Sequence, residues 1–178
     1  MGTIFIAGVY GVGKSTLCHE LTYHSNIPSY SAGDIISAVN GEKYGSNKIV
    51  ANKNKNQSIL STEVKKLLQV NPTIILAGHF CIFNKQGQVD CLPEDIFFEL
   101  DIEKILLLTA GIERICENLY QRDGINYSKD QIVNLQNTEQ SLAEKTSVIL
   151  ECPLYIHEMK FNSSDYQDVL FLIKEKLQ

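Results

Sequence analysis

The chain has 178 residues, of which 44% are hydrophobic and 21% are charged, and its formal net charge is −5. This length suits one domain with its own core, so we expect a single domain over residues 1–178, and the composition is typical of a globular protein. The acidic balance argues against nucleic acid as a partner, because non-specific binding needs clustered cations, and no apolar run approaches the roughly 18 residues of a membrane span.

Five short apolar or β-branched runs predict the strands of a single sheet. The first run covers residues 3–7 and a short one lies around residues 29–31. The runs at 73–77 and 104–109 are apolar on both faces, as in buried parallel strands, and 153–157 is a weaker candidate. The first run begins almost at residue one, which leaves no room for a leader and, in our interpretation, indicates a cytoplasmic protein.

Helical patterns lie between these runs. Helical spacing over residues 59–68 ends before Pro72, and a long helix is expected from about 129 to 150, with Ser128 as its N-cap. A closing helix with an apolar stripe begins near Ser163 or Ser164. Strands that alternate with helices predict a parallel sheet covered on both faces. Two polar segments, residues 40–57 and 123–128, are the expected mobile surface segments.

The segment 8–16 reads Gly-Val-Tyr-Gly-Val-Gly-Lys-Ser-Thr and meets the pattern G-x-x-x-x-G-K-[ST] between a strand and a helix. Its three glycines give the φ freedom that lets successive N–H groups turn inward around a phosphate. Lys14 adds a positive charge toward the β- and γ-phosphates, and Ser15 offers a hydroxyl to Mg²⁺. The segment therefore predicts a P-loop for ATP or GTP. The predicted nucleotide-binding residues are Gly8, Gly11, Val12, Gly13, Lys14, Ser15 and Thr16.

A P-loop site normally has an Asp at the end of a later strand, where it orders the water shell of the metal. Here the strand at 73–77 ends in Ala77 without a carboxylate. Asp34 is the best candidate for a second metal ligand beside Ser15, but it could equally be the N-cap of a helix over residues 35–39. His79 follows a central strand at the edge where doubly wound sheets bind ligands, so a functional and a structural role both stay open.

These features together resemble the small nucleoside-monophosphate kinases, especially the archaeal-type adenylate kinases and related bacterial small ATP-binding proteins. The matching segments are residues 8–16, 75–79, 87–93, the pair Arg122-Asp123, and 134–139 around Gln136. The resemblance implies a P-loop fold of three α/β/α layers around a five-stranded parallel sheet with strand order 2-3-1-4-5. It also implies an acceptor-binding segment at about 34–69 and a lid at about 118–129, which close over both substrates, and it implies ATP and Mg²⁺ as cofactors.

The chain departs from this family at several positions. Ala77 replaces the strand acid, and Asn118 and Gln140 stand where lid arginines align. Arg122 would then be the one lid arginine that neutralises the transferring phosphoryl group, although a solvated ion pair with Asp123 is an alternative. The acceptor segment has no arginine and carries lysines, which bind phosphate only as point charges. Those lysines are Lys48, Lys53, Lys55, Lys65 and Lys66.

The sequence as a whole predicts an ATP- and Mg²⁺-dependent kinase that transfers a γ-phosphoryl group to a small molecule, with a nucleoside monophosphate as the leading acceptor. The predicted catalytic residues are Lys14, Arg122, Asp34 and His79. A nucleotide-binding ATPase and a regulatory nucleotide-binding module without an acceptor are the alternatives. We expect a monomer or a homodimer with five free thiols, because the five cysteines form no C-x-x-C pair.

Overall fold

The structure is a computed structural model that describes residues 2–40 and 53–174, and the side chains of residues 53–55 lie outside the described part. The helices and strands are, in chain order, β1 (Thr3–Gly8), α1 (Lys14–Ser25), β2 (Ser29–Ser31), α2 (Ala32–Asn40), α3 (Lys53–Val70), β3 (Ile74–Ala77), β4 (Cys81–Phe83), β5 (Val89–Cys91), α4 (Asp95–Phe98), β6 (Ile102–Thr109), α5 (Ile112–Asp123), α6 (Lys129–Ile149), β7 (Leu154–Glu158) and α7 (Ser164–Lys174).

One parallel sheet of five strands, in the order β2-β3-β1-β6-β7, lies at the centre of the fold. Every pair in it is parallel, with β1 between β3 and β6. Because β6 and β7 are the fourth and fifth strands of this sheet, the predicted order 2-3-1-4-5 is confirmed. All five predicted runs are strands, and β1, at the centre, is buried along its whole length.

The side chains of the sheet alternate between two apolar layers, as the period of a strand requires. Ile4 and Ile6 of β1 point into a core that also holds Leu21 and Leu119. Phe5 and Ala7 of β1 point into the opposite core, which includes residues of α3 and α4. The three-layer α/β/α arrangement follows from this alternation, because each face of the sheet must be covered by helices.

Two features differ from the sequence-based expectation. A separate antiparallel hairpin, β4–β5, follows the end of β3, and its short strands were not predicted. The helix α2 begins at Ala32, three residues before the predicted start, and the hydroxyl of Ser31 accepts a hydrogen bond from the N–H of Asp34 at 3.3 Å. Asp34 therefore lies inside the first helical turn, and the interpretation of Asp34 as the N-cap is wrong.

The ends of the long helix agree with the sequence. Ser128 caps α6, since its hydroxyl accepts the N–H of Gln131 at 3.2 Å while the Gln131 side chain accepts the N–H of Ser128 at 3.1 Å. The five cysteines are free, as expected. Across residues 2–40 and 53–174 no helix combines the length and the apolar character that a bilayer crossing would need. Most of the polar segment expected at 40–57 lies outside the described residues.

Candidate active site

The P-loop joins the end of β1 to the start of α1. Gly11 and Gly13 have φ values of 75° and 98°, in the left-handed region that side chains disfavour. A Cβ atom at Gly11 would also lie 2.9 Å from Cγ of Leu119, so the loop is packed closely against α5. Gly13 ends the loop as the N-cap of α1. The N-terminus of that helix therefore follows directly on the loop, at the place where the motif predicts an anion site.

Lys14 lies folded over the start of the loop. Its ammonium group donates hydrogen bonds to the carbonyl oxygens of Gly8 at 2.5 Å and Val9 at 3.0 Å. These carbonyls hold the charge beside the loop's first residues. A triphosphate bound by the loop amides would offer stronger, charged acceptors to the same ammonium group.

A cavity of about 660 Å³ opens beside the P-loop at the carboxyl ends of β1, β2 and β3. Four residues predicted from the sequence line it together: Lys14, Ser15, Asp34 and His79. The structure therefore brings two P-loop residues into the same chamber as an acid from α2 and a histidine after β3. This volume is in the range of small-molecule sites, and its position is the ligand edge of a doubly wound sheet.

His79 is held in the cavity wall by an aromatic contact with the P-loop. Its ring centroid lies 4.5 Å from that of Tyr10, with the two planes tilted by 48°. Tyr10 itself is 8% exposed, and burial raises the pKa of its hydroxyl. The Tyr10–His79 pair therefore forms an aromatic boundary between the loop and the cavity.

Arg122 lies in the last turn of α5, outside the set of side chains that line the cavity. Its guanidinium group donates to both carboxylate oxygens of Asp123, from Nε at 2.7 Å and from Nη2 at 2.5 Å. This hydrogen-bonded pairing with Asp123 raises the pKa of Arg122. The ion pair that the sequence left as an alternative is thus present, and a catalytic role for Arg122 stays a prediction.

Glu139 of α6 is a buried carboxylate at the P-loop that the sequence analysis missed. One oxygen, Oε1, accepts the N–H groups of Gly8 at 3.1 Å and Phe80 at 3.0 Å. The other, Oε2, accepts the N–H groups of Phe80 at 3.0 Å and Cys81 at 2.8 Å. One side chain thus joins the first residue of the P-loop to the segment that follows β3.

The environment of Glu139 is almost dry, with the residue 0% exposed. Burial raises the pKa of Glu139, and the charge of Lys14 and the N–H groups of Phe80 and Cys81 offset part of this rise. A carboxylate therefore does lie beside the end of β3, although β3 itself ends in Ala77. This carboxylate belongs to Glu139 of α6. Its sequence signal was its place on the inward stripe of α6, whose other members are apolar or small: Ile132, Leu135, Ala143 and Thr146.

Two amide side chains, one at the start of the predicted lid and one on the helix after it, hold α5 and α6 against the P-loop and the sheet. Asn118 of α5 donates to the carbonyl of Gly11 at 2.9 Å. Gln136 of α6 accepts from the N–H of Ala110 at 3.1 Å and donates to its carbonyl at 3.2 Å. Asn118, at a position where a lid arginine aligns, thus binds the P-loop backbone.

Arg114 and Phe161 form a cation–π contact beside the loop. The guanidinium carbon of Arg114 lies 5.2 Å from the ring centroid of Phe161, which belongs to the connection between β7 and α7. The same ring would lie 3.5 Å from a Cβ atom at Gly13. This pair therefore borders the P-loop outside the set of residues that line the cavity.

The residues present fit a magnesium ion that keeps most of its ligands from water and phosphate. Within residues 2–40 and 53–174 no group of three His, Cys, Asp or Glu side chains could hold a metal on its own. The oxygen donors Ser15 and Asp34 line the same cavity. Mg²⁺ commonly binds through one or two protein oxygens plus the phosphates of the substrate, so this sparse set suits it.

Comparisons with solved structures show the same fold. Shikimate kinase from Acinetobacter baumannii in complex with shikimate matches with a TM-score of 0.63 and 14% identity, covering 100% of this chain and 96% of that chain. Shikimate kinase from Aquifex aeolicus matches with a TM-score of 0.61 and 16% identity, over 97% and 96% of the two chains. A gluconokinase from Sinorhizobium meliloti 1021 matches with a TM-score of 0.56 and 11% identity, over 99% and 95%.

At these identities the likeness establishes the fold, which is that of P-loop kinases. No curated protein matches the sequence. The family model described as AAA domain matches residues 7–136, a range that contains the whole P-loop, the cavity residues other than Phe5, and the first turns of α6. Since this match spans well over half of the chain, the protein belongs to the AAA domain family.

Proposed function

We propose that the protein is a kinase that transfers the γ-phosphoryl group of ATP to a small molecule bound beside the P-loop. The observation that carries this proposal is the shared cavity, in which Lys14 and Ser15 meet Asp34 and His79. A chamber of about 660 Å³ next to a phosphate loop has room for an acceptor as well as for the end of the nucleotide. The small-molecule kinases among the similar structures support the same reaction class.

The geometry suggests how the nucleotide would lie. Its phosphates would bind the amides at the start of α1, with the γ-phosphate toward the cavity. Its base would then extend toward Arg114 and Phe161, which form a cationic and aromatic surface beside the loop. Ser15 and Asp34 would hold Mg²⁺, which neutralises charge on the β- and γ-phosphates when it is bound.

Catalysis in such a site consists mainly of positioning and charge stabilisation. Lys14 would leave the carbonyls of Gly8 and Val9 to bind the phosphate oxygens. Asp34, as a ligand of that Mg²⁺, would lie near the transferred group, and His79 would fix one wall of the acceptor pocket. Arg122 would add a second cation on closure of the predicted lid at 118–129, exchanging its bond to Asp123 for the transferring group.

The resemblance to archaeal-type adenylate kinases adds a finer proposal, that the acceptor is a nucleoside monophosphate. Asn56 and Gln57 in the cavity wall would then bind the base.

The test is acceptor dependence of ADP formation. The protein is incubated with Mg·ATP and, in separate reactions, nucleosides, nucleoside monophosphates and sugars, with Lys14→Ala as the control for contaminating activity. We expect at least one acceptor to raise the rate of ADP release by about 10-fold or more, since an oriented acceptor hydroxyl should outcompete water. A rate of ADP release that no acceptor changes would contradict the kinase proposal.

A second candidate is an ATPase that acts without an acceptor. The observation in its favour is the match to the AAA domain model. In the assay above, this function would appear as ADP release that is the same with and without acceptors. The cavity beside the loop is the feature that an ATPase would not need.

A further inference from the structure

Two cysteines lie directly opposite each other in the antiparallel hairpin β4–β5, where the strand register pairs Cys81 with Cys91. The N–H of Leu92 donates to the carbonyl of Phe80 at 2.9 Å, so the neighbouring pair of the ladder is a hydrogen-bonded one. Because hydrogen-bonded and non-hydrogen-bonded pairs alternate, Cys81 and Cys91 form a non-hydrogen-bonded pair with both side chains on one face. The Cα atoms of such a pair are about 4.5 Å apart, within the range of about 4.4 to 6.8 Å that a disulfide spans.

The two thiols differ in their surroundings. Cys91 is exposed, whereas Cys81 is buried. Burial is the main cause that raises the pKa of Cys81, and the carboxylate of Glu139 and the thiol of Cys91 raise it further. The influence of Cys91 on this pKa agrees with two sulfur atoms that face each other across the hairpin. The exposed thiol is therefore the one that meets a reagent first, and the buried thiol needs a base before it can react.

The thiol of Cys81 belongs to the hydrogen bonds that hold the P-loop. Its S–H group donates to Oε2 of Glu139, with Sγ and Oε2 3.2 Å apart, and the same oxygen accepts the N–H of Cys81 at 2.8 Å. The other oxygen of Glu139 accepts the N–H of Gly8. A disulfide has no S–H group, so oxidation of Cys81 would remove one of the donors that compensate a buried carboxylate. The oxidation state of Cys81 therefore bears on the residue that opens the phosphate loop.

We infer that Cys81 and Cys91 form a redox-active pair, which exchange with a low-molecular-weight disulfide such as glutathione disulfide converts into a cross-strand disulfide that weakens ATP binding. An exposed cysteine beside a resolving cysteine is an arrangement typical of redox sensors. The inference goes beyond the proposed kinase function, because it concerns the nucleotide loop and holds for any reaction of the bound ATP.

The exchange takes place in two steps. The thiolate of Cys91 attacks one sulfur of glutathione disulfide, the S–S bond breaks, and one glutathione leaves as a thiolate with the electron pair of that bond. Oε2 of Glu139 then takes the proton of the Cys81 thiol, whose sulfur attacks Sγ of Cys91 and releases the second glutathione thiolate. The two leaving thiolates take up the two protons that the cysteines lost, one of them passed on by Glu139. The protein gives up two electrons, and one glutathione disulfide becomes two glutathione thiols.

Peptide mapping tests whether this disulfide forms. The reduced full chain is incubated with glutathione disulfide, its remaining thiols are alkylated in denaturant, and it is digested with trypsin without reduction. Cleavage after Lys66, Lys85 and Lys104 puts the two cysteines on separate peptides, 67–85 and 86–104. We expect these two peptides to be joined by a disulfide. Glutathione held on Cys91 while Cys81 is alkylated, or Cys91 joined to a different cysteine, would overturn the inference.

Nucleotide affinity tests the link to the P-loop. Oxidation should raise the Kd for Mg·ATP by about 5-fold or more, the lower end of typical coupling between two sites, and dithiothreitol should reverse the change. Cys91→Ser should abolish both the joined peptides and the change in Kd, while the reduced variant binds ATP like the wild-type protein. The matched control is Cys152→Ser, a half-buried cysteine between α6 and β7, which should keep both responses.

The outcomes separate the two parts of the inference. A joined peptide pair with a Kd that stays within about 2-fold would overturn the link between the disulfide and the P-loop. An equal rise of the Kd in Cys91→Ser would assign the response to another thiol and overturn the role of this pair. Neither result bears on the kinase proposal, since both experiments read out thiols and ATP binding without an acceptor.

Discussion

Replacing Glu139 by glutamine tests whether the buried carboxylate holds the P-loop in place. Both carboxylate oxygens of Glu139 accept backbone N–H groups. In a glutamine at this position one of the two oxygens is replaced by an NH₂ group, which cannot accept a hydrogen bond, and this is so in either orientation of the amide. If Nε2 takes the place of Oε2, the N–H of Cys81 loses its acceptor, and in the other orientation the N–H of Gly8 loses it. One buried N–H is therefore left without a partner in each case.

The expected loss follows from this count. One orphaned buried donor costs about 1 to 3 kcal/mol, so Glu139→Gln should lower the free energy of unfolding by that amount. Glu139→Ala orphans the three N–H groups of Gly8, Phe80 and Cys81 and should cost at least about 3 kcal/mol. Because Gly8 opens the P-loop, Glu139→Gln should also raise the KM for ATP by more than the KM for the acceptor.

Urea unfolding at pH 7 measures the stability change, and steady-state kinetics measure the two KM values. The matched control is Glu144→Gln on the same helix, where the carboxylate is exposed and accepts a hydrogen bond from Gln140 at 2.9 Å. That control should stay within about 0.5 kcal/mol of the wild-type protein. If Glu139→Gln were as stable as Glu144→Gln and bound ATP equally well, the positioning role drawn from these hydrogen bonds would be refuted.

Three further predictions concern the loop, the lid and the last helix. Lys14→Ala should remove the stabilisation of about 2 to 4 kcal/mol that saturating ATP gives in thermal melts, and an unchanged melting shift would reject the phosphate site. Arg122→Ala should slow turnover by about 100-fold or more with little change in ATP binding. Wild-type rates in this variant would show that Arg122 has no catalytic role beyond its ion pair with Asp123. Burial by itself would raise the pKa of Asp165. The hydrogen bonds from the N–H groups of Lys160 and Asn162 and from the ring of His157 have the larger effect, so the pKa lies below the ordinary 3.8. The contribution of this carboxylate to stability is therefore present above pH 3.8 and is lost as the pH falls through the lowered pKa. Asp165→Asn should lower the free energy of unfolding by about 1 to 2 kcal/mol at pH 7. This difference from the wild-type protein should shrink in acid, and a difference that stays constant with pH in urea titrations would contradict the argument.

The parallel sheet and the P-loop segment could be predicted from local patterns, whereas the strand order 2-3-1-4-5 was implied by the resemblance to the nucleoside-monophosphate kinases. Buried parallel strands are continuous apolar runs, and the βα connections between them are right-handed, so few topologies remained. The position of Asp34 was harder. A polar residue at the start of a helix can be its cap or lie in its first turn, and only the hydrogen bond from its N–H to Ser31 separates the two.

The hairpin β4–β5 was missed because its strands are only three residues long and carry no extended alternation. The catalytic assignment of Arg122 could not be settled from the motif alone. Its guanidinium group bonds to the neighbouring Asp123, and a dipeptide of this kind forms the same pair on a surface loop or in a lid.

The sequence by itself determined the phosphate loop. Nine consecutive residues carry the glycines, the lysine and the hydroxyl, and the conformation of such a segment follows from its own φ angles and the helix that it opens. Tertiary structure alone decided which carboxylate supports that loop. Glu139 is 131 positions from Gly8, and no local pattern records a contact over that distance. The cavity is likewise a product of packing, since its walls come from α2, α3, α4 and the ends of β2 and β3, which are far apart in the chain and meet only in the folded sheet.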